Sequence, residues 1–380
     1  MTAPVVIIGT GLAGYNLAKE FRKLDAQTPL VMITSDDGRQ YSKPLLSTGF
    51  GKQKSADDLA MADAGKMAEQ LKMEIRTFQQ VTGIDRHERK VLLGDDEIKY
   101  KDLVLAVGAE PIQIPIPGIE HLHTINDLMD YDRFHQIADK QKTVLVMGSG
   151  LVGCEYAHDM AVAGFNVILV APDEAPLARL LPTECGNGLK KALAQLGVDV
   201  RMGDSVVSIE KQTEGLTATL ASGETLDVHI GLSAVGLRAR MDLAQSAGLA
   251  TNRAIVVNEQ LQTDDEHIYA LGDCAEVSGH HLLYVLPLMN SARALAKTLS
   301  GEATAVKYPV MPVQVKTPSF PIVTVPPVDD AEGDWQIEGE SPNFKAIFVG
   351  KSGKMLGYAL TGECVAEKMA LNKELPALLV

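Results

Sequence analysis

The sequence predicts an α/β fold with largely parallel sheets, and three observations predict it. Short apolar blocks of four to eight residues recur along the chain, many followed by stretches with helical period, which is the rhythm of strand and crossover helix. Two of those blocks run into glycine-rich turns of the same design, Val5 to Gly14 (VVIIGTGLAG) and Val144 to Gly153 (VLVMGSGLVG). The chain has 380 residues, too many for one core of ordinary size. Together these give two Rossmann-like dinucleotide-binding units. The last 75 residues, with strand-like runs at Val310 to Val315, Ile322 to Val325, Phe344 to Val349 and Met355 to Leu360 and a final helix over about Cys364 to Asn372, give a small α/β C-terminal domain.

Composition narrows the class further. There are 35 Lys plus Arg against 49 Asp plus Glu, a net charge of −14 that argues against a general nucleic-acid binder. The four cysteines, Cys154, Cys185, Cys274 and Cys364, are widely spaced, so neither a CxxC motif nor a disulfide framework is expected, and a reducing cytoplasmic setting fits. No stretch is long and apolar enough for a membrane span, and Val5 to Ile8 lacks the basic flank of a signal peptide.

In the first turn, Gly9 makes the bend and Gly11 lets backbone amides approach a pyrophosphate. Gly14 lets the following helix, with Leu12, Leu17, Phe21 and Leu24 on one side, pack on the strand. One GxGxxG is weak evidence, since the 33 glycines give about 0.25 chance matches per chain. Recurrence at Gly148, Gly150 and Gly153, again between an apolar strand and a helical stretch, makes two dinucleotide sites the better reading than two plain connecting turns.

A third element separates flavoenzymes from enzymes that hold only a nicotinamide. Thr263 to Asp273 (TDDEHIYALGD) resembles the segment of flavoprotein disulfide reductase-like enzymes whose Asp bonds the ribitol of FAD, and Leu105 to Pro111 (LAVGAEP) resembles their crossover out of the FAD domain. With Tyr41-Ser42-Lys43-Pro44, Ala270 to Val277, Val315-Lys316-Thr317-Pro318 and Ala370 to Pro376, the chain resembles the rubredoxin-NAD(+) reductases over nearly its whole length.

That resemblance implies an NADH:acceptor oxidoreductase. Electrons would pass from NADH through FAD to rubredoxin, a small iron-sulfur carrier, one at a time. They would then feed a rubredoxin-dependent oxygenase or an oxygen-detoxifying system. The alternatives are a reductase of ferredoxin or another carrier, and a redox-sensing flavoprotein that acts through a partner. The implied layout is an FAD domain of residues 1–112 and 235–305, an NAD domain of residues 113–234 and a C-terminal domain of residues 306–380, with a monomer expected. Crossovers would fall at Pro111 to Pro117 and at Ala234-Val235-Gly236.

The implied FAD contacts begin with Gly9, Gly11, Leu12, Ala13 and Gly14, continue through Ile33, Thr34, Lys43, Val81, Ala106 and Gly108, and end with Gly272, Asp273, Val285 and Lys316. Gly148, Gly150, Gly153 and Gly236 go with the second nucleotide. Lys43 and Glu155 are assigned as a charge pair beside the flavin, and a helix begun by Pro287 would aim its N-terminus at the flavin ring. Hydride transfer asks the protein for position and charge rather than for an acid–base cycle.

The usual ribose acid after each second strand is replaced by Thr34 and Ala171, so Asp36 or Asp37 would serve the first site. Ala171-Pro172-Asp173-Glu174 has no Arg or Lys for a 2′-phosphate, which favours NADH over NADPH. Tyr41 to Leu46 holds no redox cysteine, so electrons would leave the flavin directly, and Cys154 and Cys274 read as buried thiols. No histidine group has metal spacing, and Asp95-Asp96-Glu97 reads as a solvated hairpin turn. Lys43, Lys52, Lys54 and Lys316 are the candidates for a basic docking patch.

Overall fold

The computed structural model describes residues 3–328 and 331–380. Five helices of ten residues or more occur among them: α1 (Leu12–Leu24), α2 (Leu128–Ile137), α3 (Leu151–Val162), α4 (Thr183–Gln195) and α5 (Val285–Leu299). None of the described helices is long and apolar enough to cross a membrane.

The first glycine turn rises from the middle of a five-stranded parallel sheet. Val5–Ile8 lies between Leu30–Ile33 and Asp102–Leu105, with Glu74–Arg76 and Ile268–Ala270 at the edges. All four residues of Val5–Ile8 are buried, as a strand covered on both faces requires. Neighbours on both sides of the central strand leave a crevice beyond its C-terminal end, where α1 begins. Against this sheet α1 buries Ala13, Tyr15, Leu17, Ala18 and Phe21, while Arg22 at its other end caps carbonyls of Leu71, Asp25 and Thr28.

The second turn repeats the plan on a four-stranded parallel sheet. Thr143–Met147 sits between Asn166–Ala171 and Ile230–Ser233, with Asp199–Met202 outside. The two crossover segments meet as an antiparallel pair, Ala109–Pro111 against Leu237–Ala239.

The tail forms a five-stranded antiparallel sheet in the order Val313–Val315, Ile322–Val325, Met355–Thr361, Asn343–Gly350, Gly333–Glu340. Three expectations need correction here. Gly333–Glu340 was not anticipated, because as an edge strand it turns only Trp335 and Ile337 toward the fold and exposes Asp334, Gln336 and Glu338, so it has no contiguous apolar run. The closing helix expected over Cys364 to Asn372 is a 3-10 segment, Gly362–Glu367, leading into the short helix Lys368–Leu371. Helix α5 starts at Val285, not at Pro287, which occupies its third position, where the missing N–H is still unneeded.

One hydrophobic core ties all three regions together. It combines Val144, Tyr156, Leu169 and Leu189 around the second sheet with Leu46 and Phe50 from the early chain, and with Val315, Phe320 and Ala346 from the tail. Phe50 is the hub of an aromatic nest, its ring centroid 5.2 Å from Tyr131, 5.6 Å from His135 and 6.0 Å from Phe134 on α2. The same ring lies 6.5 Å from Tyr156 on α3 and 5.7 Å from Phe165. The Tyr131 hydroxyl closes the nest by donating to the Lys54 carbonyl at 2.7 Å.

Candidate functional site

Both glycine turns are cradles that side chains would fill. Gly9 has φ +114°, and a Cβ there would run into the carbonyl oxygen of Ala106. A Cβ on Gly14 would overlap the Gly9 carbonyl, whereas one on Gly11 would meet nothing within 4 Å. The second turn copies this: Gly148 has φ +107° with the Ala234 oxygen 2.6 Å from its ideal Cβ, Gly153 would overlap the Gly148 carbonyl, and Gly150 faces open space. Gly11 and Gly150 are also the N-caps of α1 and α3, with no side-chain cap and no acidic residue in either first turn. Their amides and positive dipole ends are left to an anion such as a pyrophosphate.

Around the first cradle, Gly9 donates to the Ile33 carbonyl at 2.8 Å and the Thr10 hydroxyl reaches Thr34 at 3.0 Å. Asp36 is already engaged by Thr34 at 2.7 Å and by the Gly38 amide at 2.9 Å, and Asp37 by Arg39. Gly108 has φ +69° with open space on its Cβ side, and Val81 is half-buried in the loop whose Gln79 amide bonds the Thr34 carbonyl. Asp273 is half-buried in the 3-10 turn Gly272–Cys274, and its carboxylate has no hydrogen-bond partner among the described residues. An unpartnered carboxylate at the end of a cradle fits a polyol. The residues therefore suit FAD in the first crevice and a nicotinamide dinucleotide in the second.

The charge pair expected between Lys43 and Glu155 does not form. Lys43 sends its ammonium to Asn126 Oδ1 at 2.8 Å, and Asn126 is fixed in turn by the Ala109 carbonyl and by Asp130. Burial pulls the Lys43 ammonium below the ordinary lysine value, against the opposing pull of the Asp273 carboxylate. Glu155, with a side chain 1% exposed, instead pairs with the Lys316 ammonium, takes the Lys316 amide at 3.0 Å and takes the Ser47 hydroxyl at 2.6 Å. The cause is position: Glu155 points from the buried side of α3 at the tail segment that Lys316 opens. Lys43 and Lys316 are thus held by partners and are poor members of the expected docking patch.

Ser47 and Asn126 are functional-looking residues that sequence reasoning missed. Ser47 had a weak signal, four residues beyond Lys43 in the same 3-10 run, Lys43–Thr48; Asn126 had none, since its partner is 83 residues away. In the second crevice Ala171 is buried, and Asp173 lies 3.4 Å from the Ser149 hydroxyl. The N-terminus of α5 has no side-chain cap, and Val285 and Leu286 there are exposed, as is Leu45.

All four cysteines are free thiols. Cys154 bonds the Ser149 carbonyl and Cys274 the Leu105 carbonyl, and burial pushes the Cys274 thiol up to about 11 and the Cys185 thiol up to about 12. They are poor thiolates at neutral pH. No metal-holding cluster of His, Cys, Asp or Glu occurs among the described residues.

Two parallel sheets, each with a glycine cradle at its central strand and joined by paired crossovers, define a two-dinucleotide oxidoreductase fold. Residues 3–296 match the pyridine nucleotide-disulphide oxidoreductase family, and residues 305–375 match the rubredoxin binding C-terminal domain. The chain is 52% identical to a rubredoxin-NAD(+) reductase of Alcanivorax borkumensis over 99% of both chains. It is 38% identical to a nitric oxide reductase FlRd-NAD(+) reductase of Pectobacterium atrosepticum, covering 99% of this chain and 100% of the relative. Among solved structures, a chain of the covalent putidaredoxin reductase–putidaredoxin complex superposes with TM-score 0.88 at 22% identity, covering 98% of this chain and 94% of that one. The NADH:rubredoxin oxidoreductase of Clostridium acetobutylicum gives 0.83 at 21%, covering 98% and 95%. The chain belongs to the pyridine nucleotide-disulphide oxidoreductases, in the rubredoxin-NAD(+) reductase group.

Proposed function

We propose that the chain is an FAD-dependent NADH oxidoreductase that delivers electrons singly to rubredoxin. The observation that carries this reading is Glu155: it grows from the helix of the second cradle and holds, at one carboxylate, the Ser47 hydroxyl and Lys316 of the rubredoxin-binding tail. When bound, FAD supplies the chemistry of taking two electrons as hydride and giving them up one by one, which a one-iron carrier needs. The chain's own residues do the placing. The first cradle and Asp273 hold FAD, with Leu12, Ala13, Thr34, Val81 and Ala106 along its length. The second cradle would hold NADH, and the Lys316–Glu155 pair ties the helix of that cradle to the tail.

Residues 1–112 and 235–305 serve as the FAD domain, 113–234 as the NAD domain and 306–380 as the carrier domain. Electron exit bypasses the cysteines: Cys154, Cys185 and Cys274 are buried, Cys364 is half-buried, and desolvation pushes each of the thiols up. Four unlinked thiols also suit a cytoplasmic setting. The test is anaerobic NADH oxidation with purified rubredoxin and with a ferredoxin, read by cytochrome c reduction. Rubredoxin-dependent turnover well above the ferredoxin rate is expected; FAD-loaded protein that reduces ferricyanide but not rubredoxin overturns the reading.

A further inference from the structure

The buried face of α3 carries more polar groups than a dinucleotide cradle uses. Glu155, His158 and Asp159 are spaced three and four residues apart and so share one side of the helix, and all are buried, at 1%, 4% and 8% exposure. Each grips a different part of the chain. Glu155 holds Ser47 and Lys316, and Asp159 accepts the Gly51 amide at 2.9 Å. His158 holds Ser319: its Nε2 lies 2.8 Å from the Ser319 hydroxyl oxygen and 3.3 Å from the Ser319 amide nitrogen.

An amide N–H can only donate, so His158 Nε2 must carry its lone pair and the ring proton sits on Nδ1. Burial lowers the His158 value and keeps the ring neutral. A buried neutral acceptor aimed at one serine is a specific device.

What it holds is the tip Lys316 to Phe320, which lies within the tail matched to rubredoxin binding. Thr317 and Phe320 are buried at 0% and 1% and bond one another, while Pro318 and Ser319 between them are exposed. The exposed pair therefore projects beside the Lys316–Glu155 contact, anchored from below by His158.

We propose that His158 is a positioning residue for the carrier: it fixes the Pro318-Ser319 tip so that rubredoxin docks against a preset surface next to the Glu155–Lys316 pair. This rests on the functional reading above. Loss of the anchor frees a surface that must then be ordered at each encounter, so the effect falls on carrier KM.

The test compares His158→Ala, His158→Gln and Ser319→Ala as FAD-loaded proteins, each scored by the ratio of rubredoxin-dependent to ferricyanide turnover and by rubredoxin KM. His158→Ala should raise rubredoxin KM about five- to tenfold, the range for one or two lost hydrogen bonds. His158→Gln, whose carbonyl can accept from Ser319, should recover most of it, and Ser319→Ala should give about a threefold rise by losing one of the two bonds. A purely structural role lowers both turnovers together and leaves the ratio fixed. Should His158→Ala fail to load FAD, Ser319→Ala, on the exposed side, decides alone. An unchanged ratio in FAD-loaded His158→Ala or, where that variant does not load, an unchanged rubredoxin KM in Ser319→Ala overturns the inference, whereas wild-type protein that does not reduce rubredoxin overturns the functional reading instead.

Discussion

Removing either member of the Glu155–Lys316 pair should destabilise the protein unequally, and the structure says which loss is worse. The carboxylate side chain is 1% exposed and the lysine side chain 30% exposed. In Lys316→Met a buried anion keeps only two neutral donors, the Ser47 hydroxyl at 2.6 Å and the backbone amide of residue 316 at 3.0 Å. Stranding a buried charge costs about 3 to 5 kcal/mol, and the two surviving hydrogen bonds place this variant near 3. In Glu155→Gln the stranded group is an ammonium already partly in water, so the loss is chiefly of charge-assisted bonds, about 1 to 2 kcal/mol. Urea unfolding of the FAD-loaded proteins, followed by near-ultraviolet circular dichroism, should therefore rank wild type, Glu155→Gln and Lys316→Met in falling midpoint. The double variant should cost less than the sum of the two by about 1 to 3 kcal/mol. Equal midpoints for the two single variants, or strict additivity, would refute the reasoning.

Asp273→Ala should weaken FAD retention by about 1 to 3 kcal/mol, read by equilibrium dialysis of flavin fluorescence, because its free carboxylate loses the hydroxyls it is placed to accept. Gly14→Ala and Gly11→Ala should part company: the first drives a methyl group into the Gly9 carbonyl and should lower folded yield, while the second meets open space and should fold yet bind FAD poorly. NADH should outpace NADPH in single-turnover flavin reduction, since Asp173 and Glu174 oppose a 2′-phosphate; equal rates would remove that argument. A variant with all four cysteines replaced by Ser or Ala should still reduce rubredoxin when folded and flavin-loaded, and loss of that activity with hydride acceptance intact would return the thiols to the electron path.

The parts of this protein legible in sequence are those whose cause is local. Gly9 and Gly148 announce their turns because the backbone there needs positive φ and the carbonyls of Ala106 and Ala234 leave no room for a side chain. The strand and helix around each follow from apolar spacing alone. Partners of buried charges are another matter. Glu155 and Lys316 stand 161 residues apart, and nothing near either residue says that the tail folds back onto α3 rather than leaving Lys43 as the nearest cation. Asn126 was invisible for the same reason. Gly333–Glu340 escaped notice because an edge strand needs only one apolar face, and Trp335 and Ile337 are a thin signal beside the charged residues between them.

The nest around Phe50 constrains how this chain could be recombined. Its rings come from the turn after Ser47, from α2, and from α3 with Phe165 just beyond its end, so one aromatic surface is shared by the early chain and by a stretch about 80 to 115 residues further on. Hybrids with a homologue that exchange residues 128–137 alone would pair a foreign helix with a native Phe50 and leave gaps or clashes of methyl size, which close-packed interiors do not forgive. Crossover points that carry residues 49–54 and 128–165 together keep the nest whole, so viable shuffled descendants should inherit these two stretches as one genetic unit.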